Sequence, residues 1–239
     1  MSLYSVVRGC YHLILPEPLR HGLYMGTPRS LKRLRRFVVQ TIERTGEHNE
    51  IYDAAYYAKF VEPTMQMSAS AMADSICREF MPGTAIDVGC GTGVLMAVLR
   101  ERGVKVQGFE YSDAALDICR DRGLTTTKLD IEHDPFPDLQ ADVVISTEVA
   151  EHLPKSCADR FVSLLSSLSS TVVLTAAVPG AGPSGTDHVN EQPNEYWISK
   201  FEARSYRFDD HLAQTWRSEW SRKGVAACFA SSVMVFRAS

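Results

Sequence analysis

The sequence predicts an α/β fold in which an open parallel sheet carries helices on both faces. From Gly83 onward, segments of strand character alternate with segments of helical character, which is typical of a parallel sheet. Within this region a glycine-rich turn, D-V-G-C-G-T-G at 87–93, joins an apolar strand to a helix start. Acidic residues also follow the next two predicted strands. These observations indicate a nucleotide-like ligand at the carboxyl edge of the sheet.

Length and composition fit one large domain with an N-terminal extension. The chain has 239 residues, of which 45% are hydrophobic and 23% charged, and its formal net charge is -4. The negative balance argues against a generally nucleic-acid-binding surface. Six cysteines without a C-x-x-C pair argue against a disulfide scaffold and a zinc ribbon, so we expect a reducing, cytoplasmic environment. No apolar run of the sequence approaches the roughly 18 residues of a membrane span.

Residues 1–64 are predicted to form a helical extension that serves as a lid or as an oligomer contact. Segment 30–44 has the apolar stripe of an amphipathic helix, with several basic residues on its other faces. Two interpretations of this basic helix stay open. It is either a solvated face that covers the domain or a second subunit, or a patch for an acidic or phosphorylated substrate.

Each later element follows from its own pattern. A tyrosine-rich segment, 50–60, places Tyr52, Tyr56 and Tyr57 at helical spacing, which is usually a core pattern, and a helix is predicted over 68–80. Strands are predicted at 85–88, 105–109, 125–129, 142–147, 171–178, 206–208 and 231–236. Helices are predicted at 94–102, 112–122, 154–168, 193–204 and 209–222. Periodicity alone supports only an open α/β sheet.

Three acidic residues mark the first three strands. Asp87 lies just before the first glycine, where its carboxylate would repel a pyrophosphate but suits a ligand with an ammonium group. The G-x-G-x-G spacing also differs from the G-x-G-x-x-G fingerprint of dinucleotide sites. Glu110 follows Gly89 by 21 positions and is placed to accept hydrogen bonds from two ribose hydroxyls. Asp130 can accept from an adenine amino group while Ile131 packs on the ring.

The glycine turn and these acids resemble class I S-adenosylmethionine (SAM) methyltransferases over residues 65–239. The resemblance implies a Rossmann-like, mostly parallel sheet of seven strands whose last strand is antiparallel, and SAM as the cofactor. It assigns Asp87 and the glycine turn to the methionine part of SAM, Glu110 to the ribose, and Asp130 with Ile131 to the adenine. The remaining expected cofactor contacts are Tyr57, Gly89, Cys90, Gly91, Gly93, Tyr111 and Thr147.

A second polar group, E-V-A-E-H at 148–152, follows the fourth strand. On a helical turn Glu148, Glu151 and His152 would share one face, and two carboxylates with an imidazole make most of a divalent-metal site. His188 is expected over the same sheet edge. This E-x-x-E-H with a downstream D-H resembles the site of small-RNA 3′-terminal 2′-O-methyltransferases, where two Glu and two His hold Mg²⁺ or Mn²⁺. A similar E-x-x-E-H occurs in ubiquinone-biosynthesis O-methyltransferases.

The resemblance therefore implies O-methylation, with Glu148, Glu151, His152 and His188 as metal ligands or with His152 or His188 as the general base. In the alternative without a metal, Glu151 and His152 only cap or support the local structure. The expected acceptor is a hydroxyl of a saccharide or of another hydroxylated small molecule. Two other functions stay open: an RNA ribose 2′-O-methyltransferase, which the negative charge disfavours, and a non-catalytic SAM-binding regulatory module.

Overall fold

A computed structural model describes residues 48–180 and 187–239 and places them around one seven-stranded sheet. The strands are β1 Thr84–Val88, β2 Lys105–Glu110, β3 Thr125–Lys128, β4 Val143–Thr147, β5 Thr171–Thr175, β6 Tyr206–Phe208 and β7 Met234–Ala238. Their order across the sheet is β3-β2-β1-β4-β5-β7-β6. The predicted basic helix at 30–44 lies outside the described residues.

Pairing directions confirm the predicted architecture. Strands β1 to β5 pair with one another in parallel, whereas β7 pairs antiparallel with both β5 and β6. The seven strands and the reversed last strand agree with the expected Rossmann-like sheet of a class I methyltransferase. Strand order reverses between β1 and β4, because β2 and β3 lie on one side of β1 while β4 and β5 lie on the other. Ligands of open α/β sheets bind beyond the carboxyl ends of the strands at such a point.

Helices cover both faces of the sheet. They are α1 His48–Ile51, α2 Ala54–Tyr56, α3 Glu62–Phe80, α4 Val94–Glu101, α5 Asp113–Asp121, α6 Ala158–Leu168, α7 Asn194–Glu202, α8 Asp210–Arg222 and α9 Ala227–Ser232. A π-helical turn, Tyr57–Val61, joins α2 to α3, and a 3₁₀ turn, Lys155–Cys157, precedes α6. Among the described helices, none combines the length and the apolar character needed to cross a membrane.

Two apolar layers pack against the sheet because successive strand residues point to opposite faces. Ala85 of β1 and Val143 of β4 face a layer that includes α3, α4, α8 and α9. Ile86 and Val144, one residue further along the same strands, face α6 and α7 instead. The central strands are therefore buried on both faces, as expected for a parallel sheet covered by helices.

Helix α3 begins earlier than predicted. We expected its start at residue 68, but it begins at Glu62 with Pro63 in its first turn. A proline fits there because its missing N–H would have no partner within the helix. The helix ends at Phe80, and Met81, with a positive φ of 44°, closes the last turn by donating its N–H to the carbonyl of Cys77. The boundary expected between residues 64 and 65 thus falls inside one continuous helix, and the roles of the two segments stay a prediction.

The C-terminal boundaries also differ from the prediction. The last strand was expected at 231–236, but residues up to Ser232 belong to α9 and β7 begins at Met234. The run Ser-Ser-Val-Met-Val-Phe reads as one strand in the sequence, although its two serines donate to carbonyls four residues earlier in α9. Strand β5 ends at Thr175 rather than at residue 178, because its pairing with β4 stops there.

Candidate functional site

The glycine turn after β1 has the backbone geometry that glycine favours. Gly89, Gly91 and Gly93 have positive φ angles of 74°, 53° and 73°. The N–H groups of Gly89 and Cys90 both donate to the carbonyl of Phe109 in β2, at 2.8 and 3.1 Å. The turn is therefore tied to the neighbouring strand and holds its remaining backbone towards the carboxyl edge of the sheet.

Glu110, at the end of β2, organises the same turn. Its carboxylate accepts hydrogen bonds from the backbone N–H groups of Gly91 at 2.8 Å, Tyr111 at 2.7 Å and Ser112 at 2.9 Å. Burial raises the pKa of this carboxyl, while the three N–H donors act in the opposite direction. Glu110 thus links the glycine turn to the start of α5 at the position where ribose recognition is expected.

Asp87 is buried in β1, with 1% of its surface exposed. One of its carboxylate oxygens, Oδ1, has no hydrogen-bond partner among the described residues. Burial, followed by the charge of Glu110, raises its pKa to about 7. A buried carboxylate with an unpartnered oxygen is poised for a cationic ligand group, because a cation offsets the cost of its charged form.

A cavity of about 1090 Å³ opens at the carboxyl edge of the sheet and collects most of the predicted residues. Its wall includes the predicted cofactor residues Tyr57, Gly89, Cys90, Gly91, Glu110, Tyr111, Asp130, Ile131 and Thr147. It also includes Glu148, His152 and His188 from the second predicted group. Asp87, Gly93 and Glu151 are buried and are not among the residues that line it. The structure therefore joins both predicted groups in one cavity.

The loop that carries Asp130 and Ile131 is hydrogen-bonded to α6. Asp130 accepts a hydrogen bond from the N–H of Glu132 at 2.8 Å and lies 3.0 Å from His133 Nδ1. Arg160 of α6 donates to the carbonyl of Ile131 at 2.7 Å and to that of Asp134. The expected adenine wall is thus fixed to the core rather than loosely attached.

Segment 148–153 is a series of turns, so the predicted helical turn there is wrong. Glu148 has a left-handed backbone, with φ of 54°, which ends any helical path from β4. The N–H of His152 donates to the carbonyl of Val149 at 3.0 Å, which closes a short turn. This compact turn still brings Glu151 and His152 to the sheet edge. The two side chains are therefore close together, as expected, although no helix places them there.

Three of the four predicted metal ligands come together. Glu151, His152 and His188 each offer a ligand atom, and these atoms lie within 4.8 Å of one another. The backbone explains the approach of His188, since the N–H groups of Val189 and Asn190 both donate to the carbonyl of Glu151 at 2.9 Å. Glu148, the fourth predicted ligand, is outside this set.

Both histidine rings are held by neighbours. The phenol oxygen of Tyr52 lies 2.9 Å from His152 Nδ1, and Glu191 Oε1 lies 3.1 Å from His188 Nδ1. The two imidazoles meet edge to face with centroids 4.9 Å apart. Such partners fix the orientation of a histidine that acts as a ligand or a base.

Glu148, which is half-buried in the cavity wall, instead pairs with the fully buried carboxyl of Glu151. Its Oε1 accepts a hydrogen bond from Thr175 Oγ1 at 2.8 Å. Burial raises the pKa of Glu148 to about 7, and burial together with the charge of Glu148 raises the pKa of Glu151 well above its ordinary value. Two carboxyls in this state need a proton or a cation between them.

The residues present fit a divalent cation. Neither oxygen of the fully buried Glu151 carboxylate makes a hydrogen bond of normal geometry within the described residues, which is costly for a buried charge and would be offset by a bound metal ion. One carboxylate and two imidazoles also form the mixed oxygen and nitrogen set that transition-series cations accept. The cluster supports Mn²⁺ at least as well as Mg²⁺, because Mg²⁺ prefers oxygen ligands.

Sequence reasoning missed three contributors to this site. Tyr52 was interpreted as a core residue, and Thr175 and Glu191 were not singled out. Thr175 had a usable signal, since it ends the strand next to β4 at the edge where ligands gather. The contact between Tyr52 and His152 spans 100 positions, and no local spacing indicates it.

Comparison with known proteins finds a family match over part of the chain. Residues 86–168 match the family described as a methyltransferase domain. An 81-residue segment is 35% identical to the malonyl-[acyl-carrier protein] O-methyltransferase of Serratia marcescens, covering 32% of each chain. A 77-residue segment is 36% identical to the ubiquinone biosynthesis O-methyltransferase of Methylococcus capsulatus, covering 29% of this chain and 32% of that protein. The match thus spans about a third of the length of these relatives.

Solved structures show the same fold. The structure of magnesium protoporphyrin IX methyltransferase from Synechocystis PCC 6803 with bound S-adenosylhomocysteine has a TM-score of 0.55 and 17% identity. That likeness covers 88% of this chain and 94% of the other. Together with the domain match, it confirms the predicted resemblance to class I SAM-dependent methyltransferases. The matched segment contains Asp87, Glu110, Asp130 and Glu151, but ends before His188.

Proposed function

We propose that the protein is a SAM-dependent O-methyltransferase acting on a hydroxylated small molecule such as a saccharide, because residues 86–168 match a methyltransferase domain. The observation that carries the proposal is that one cavity is lined both by the glycine turn with Glu110 and by His152 and His188. A methyl donor and a hydroxyl acceptor can therefore meet within a single enclosure.

In the half of the cavity around the glycine turn, polar groups of the protein are available to bind SAM. The free Oδ1 of Asp87 and the backbone of Gly91 would receive the methionine part, whose ammonium group suits a buried carboxylate. Glu110 would accept from the ribose hydroxyls, and Asp130 with Ile131 would receive the adenine. When bound, SAM supplies an electrophilic methyl group on a sulfonium.

The part of the cavity that would bind the methyl acceptor surrounds His152 and His188. In the proposed step an imidazole of His152 or His188 takes the proton of the acceptor hydroxyl as its oxygen forms a bond to the methyl carbon and the carbon–sulfur bond breaks. The electron pair of the broken bond stays on sulfur, so that the cofactor leaves as the neutral thioether S-adenosylhomocysteine. The cavity wall would align the attacking oxygen behind the methyl group and exclude water.

A divalent cation would be held by Glu151, His152 and His188, with Glu148 beside them. When bound, it would lower the pKa of a coordinated hydroxyl and so assist its deprotonation. In this arrangement His152 and His188 act as ligands, and the pair of Glu148 and Glu151 balances the added positive charge. Mn²⁺ and Mg²⁺ are the candidate ions.

The wall of the cavity favours a small acceptor with an apolar body. Beside the histidines it carries the rings of Tyr52, Tyr56 and Phe60 and the aliphatic side chains of Val61 and Met65. Such rings stack on sugar or aromatic planes. Lys155 is the single lysine among the described residues of this wall, and no arginine lines it. A polyanionic RNA strand would need more cationic contacts than this wall supplies, which supports a small molecule over RNA.

The proposed function is tested by mass spectrometry of hydroxylated metabolites and saccharides incubated with SAM, Mn²⁺ and the protein. We expect a gain of one methyl group on an oxygen, with formation of S-adenosylhomocysteine. A matched reaction with 3′-terminal RNA would show transfer there if the ribose alternative is correct. The regulatory alternative would be supported if SAM bound without methyl transfer to any acceptor class and if His188→Ala left the result of a functional assay unchanged.

A further inference from the structure

Tyr52 connects an N-terminal strap, residues 48–61, to the histidine cluster. Its phenol oxygen lies 2.9 Å from His152 Nδ1, and its ring meets the imidazole edge-on with centroids 5.8 Å apart. Only 7% of Tyr52 is exposed. The hydrogen bond is part-buried, and it is therefore electrostatically stronger than one at an exposed surface.

The main chain of the strap is anchored beside the cofactor side of the cavity. Ser112 Oγ donates to the carbonyl of Tyr52 at 2.9 Å, and the N–H of Ser112 donates to Glu110 at 2.9 Å. Asn49 and Asp113 exchange two more hydrogen bonds, of 2.6 and 3.0 Å. The position of Tyr52 is therefore set by the start of α5, directly after Glu110.

The Tyr52 hydroxyl beside His152 Nδ1 can pair with either neutral form of the imidazole. To bind a cation or take a proton through Nε2, a neutral imidazole must carry its hydrogen on Nδ1, which then donates to the phenol oxygen. A tyrosine hydroxyl can accept from Nδ1 in this tautomer and donate to it in the other. It thus holds the ring in one orientation whichever tautomer is present.

We propose that Tyr52 is a positioning residue that orients the His152 imidazole for methyl transfer, and that its anchor at Ser112 sets this orientation from the cofactor side. The proposal rests on the proposed function, because it assigns His152 to the reacting end of the cavity. Tyr52 acts through His152, and its hydroxyl is the group on which the effect depends.

The variant Tyr52→Phe removes that hydroxyl and keeps the ring. We expect kcat to fall at least 10-fold, in the range found when the hydrogen-bond partner of a working histidine is removed. The Kd of SAM, measured by isothermal titration calorimetry, should stay within about twofold, because Ser112 contacts Tyr52 only at its backbone carbonyl and Glu110 bonds to Gly91, Tyr111 and Ser112. Near-ultraviolet circular dichroism should report a folded variant.

Tyr206→Phe is the matched control. It also removes a buried phenol hydroxyl, which donates to the carbonyls of Ser166 at 3.0 Å and Ser169 at 2.6 Å, and Tyr206 is not part of the cavity wall. We expect this variant to lose some stability and to keep the wild-type kcat. A purely structural role of Tyr52 would make the two variants alike in kcat.

A second readout does not depend on activity. Nitrogen-15 signals of the His152 ring should shift in Tyr52→Phe, because Nδ1 loses its hydrogen-bond partner, and stay in place in Tyr206→Phe. A folded Tyr52→Phe variant with wild-type kcat overturns the proposal, as do unchanged His152 signals. Failure of the wild-type protein to transfer any methyl group would instead defeat the proposed function, and the ring signals alone would then decide whether Tyr52 orients His152.

Discussion

A methyl group added at Gly89 should disrupt the contact between the glycine turn and the turn after β4. A Cβ atom at this position would lie 2.3 Å from Val149 Cγ2 and 3.2 Å from Val149 Cγ1. Both distances are shorter than normal carbon–carbon contacts, so one of the two turns must move. Gly89→Ala therefore tests whether the cofactor turn and the turn bearing Glu151 and His152 are packed as one unit.

The expected loss of stability has two parts. Gly89 has a φ of 74°, and a left-handed backbone costs an L-residue about 1–2 kcal/mol. Overpacking against Val149 adds about 1–3 kcal/mol. Gly103→Ala isolates the first part, because Gly103 has a φ of 85° and an added Cβ there would meet no atom within 4 Å.

Urea unfolding of the variants separates these parts. We expect Gly103→Ala to lower the free energy of unfolding by about 1–2 kcal/mol and Gly89→Ala to lower it by about 2–5 kcal/mol. Val149→Ala removes both Cγ atoms and leaves only Cβ, at 3.3 Å, so in that background the cost of Gly89→Ala should fall close to that of Gly103→Ala. The double-mutant cycle thus measures the steric contact directly.

Two results would refute this reasoning. Equal losses in Gly89→Ala and Gly103→Ala would mean that Val149 does not restrict the turn. If Gly89→Ala lowered the free energy of unfolding by the same amount in the Val149→Ala background, the strain would not come from contact with Val149. In either case the packing of the two turns would not explain why glycine occupies position 89.

Three further predictions concern the two halves of the cavity. Burial raises the pKa of Asp87 in the folded protein to about 7, above its ordinary value of 3.8. Ionisation of Asp87 therefore lowers the free energy of unfolding as the pH rises from 3.8 to about 7. Asp87→Asn should accordingly raise the melting temperature at pH 8 in calorimetry yet weaken SAM binding, and wild-type SAM affinity should fall as pH drops below 7. Glu110→Gln, which removes the charged acceptor of three N–H groups, should weaken the Kd of SAM about 10–100-fold in isothermal titration calorimetry; an unchanged Kd would remove Glu110 from the cofactor site. Exhaustive chelation should abolish methyl transfer and Mn²⁺ or Mg²⁺ should restore it, whereas full turnover after chelation would exclude a metal role for Glu151, His152 and His188.

Much of the fold is readable from local pattern. The alternation of apolar strands with amphipathic helices reflects a sheet buried on both faces, so all seven strands were predicted close to their observed positions. Boundaries were less accurate where two elements share one composition. The start of α3 lies before the expected residue 68, and α9 ends in serines that also fit a strand, because propensity alone does not separate adjoining elements there.

The candidate site was predictable where strand ends alone determine it. Glu110 and Asp130 follow parallel strands, and parallel strands bring their carboxyl ends to one edge. Spacing was a weaker guide at 148–152, because an i, i+3, i+4 pattern also suits the irregular turn that the left-handed Glu148 imposes. The contact of Tyr52 with His152 depends on tertiary packing across the sheet edge, which no sequence spacing records.

Isothermal titration calorimetry of SAM with wild-type protein and Asp87→Ala tests the central claim most directly. We predict one binding site in the wild type, an accompanying rise in melting temperature at saturating SAM, and loss of both in Asp87→Ala. A Kd measured with S-adenosylhomocysteine, which shares the ammonium group, should respond to the substitution in the same way. No binding of SAM to the wild type, or equal binding to Asp87→Ala, would contradict the account.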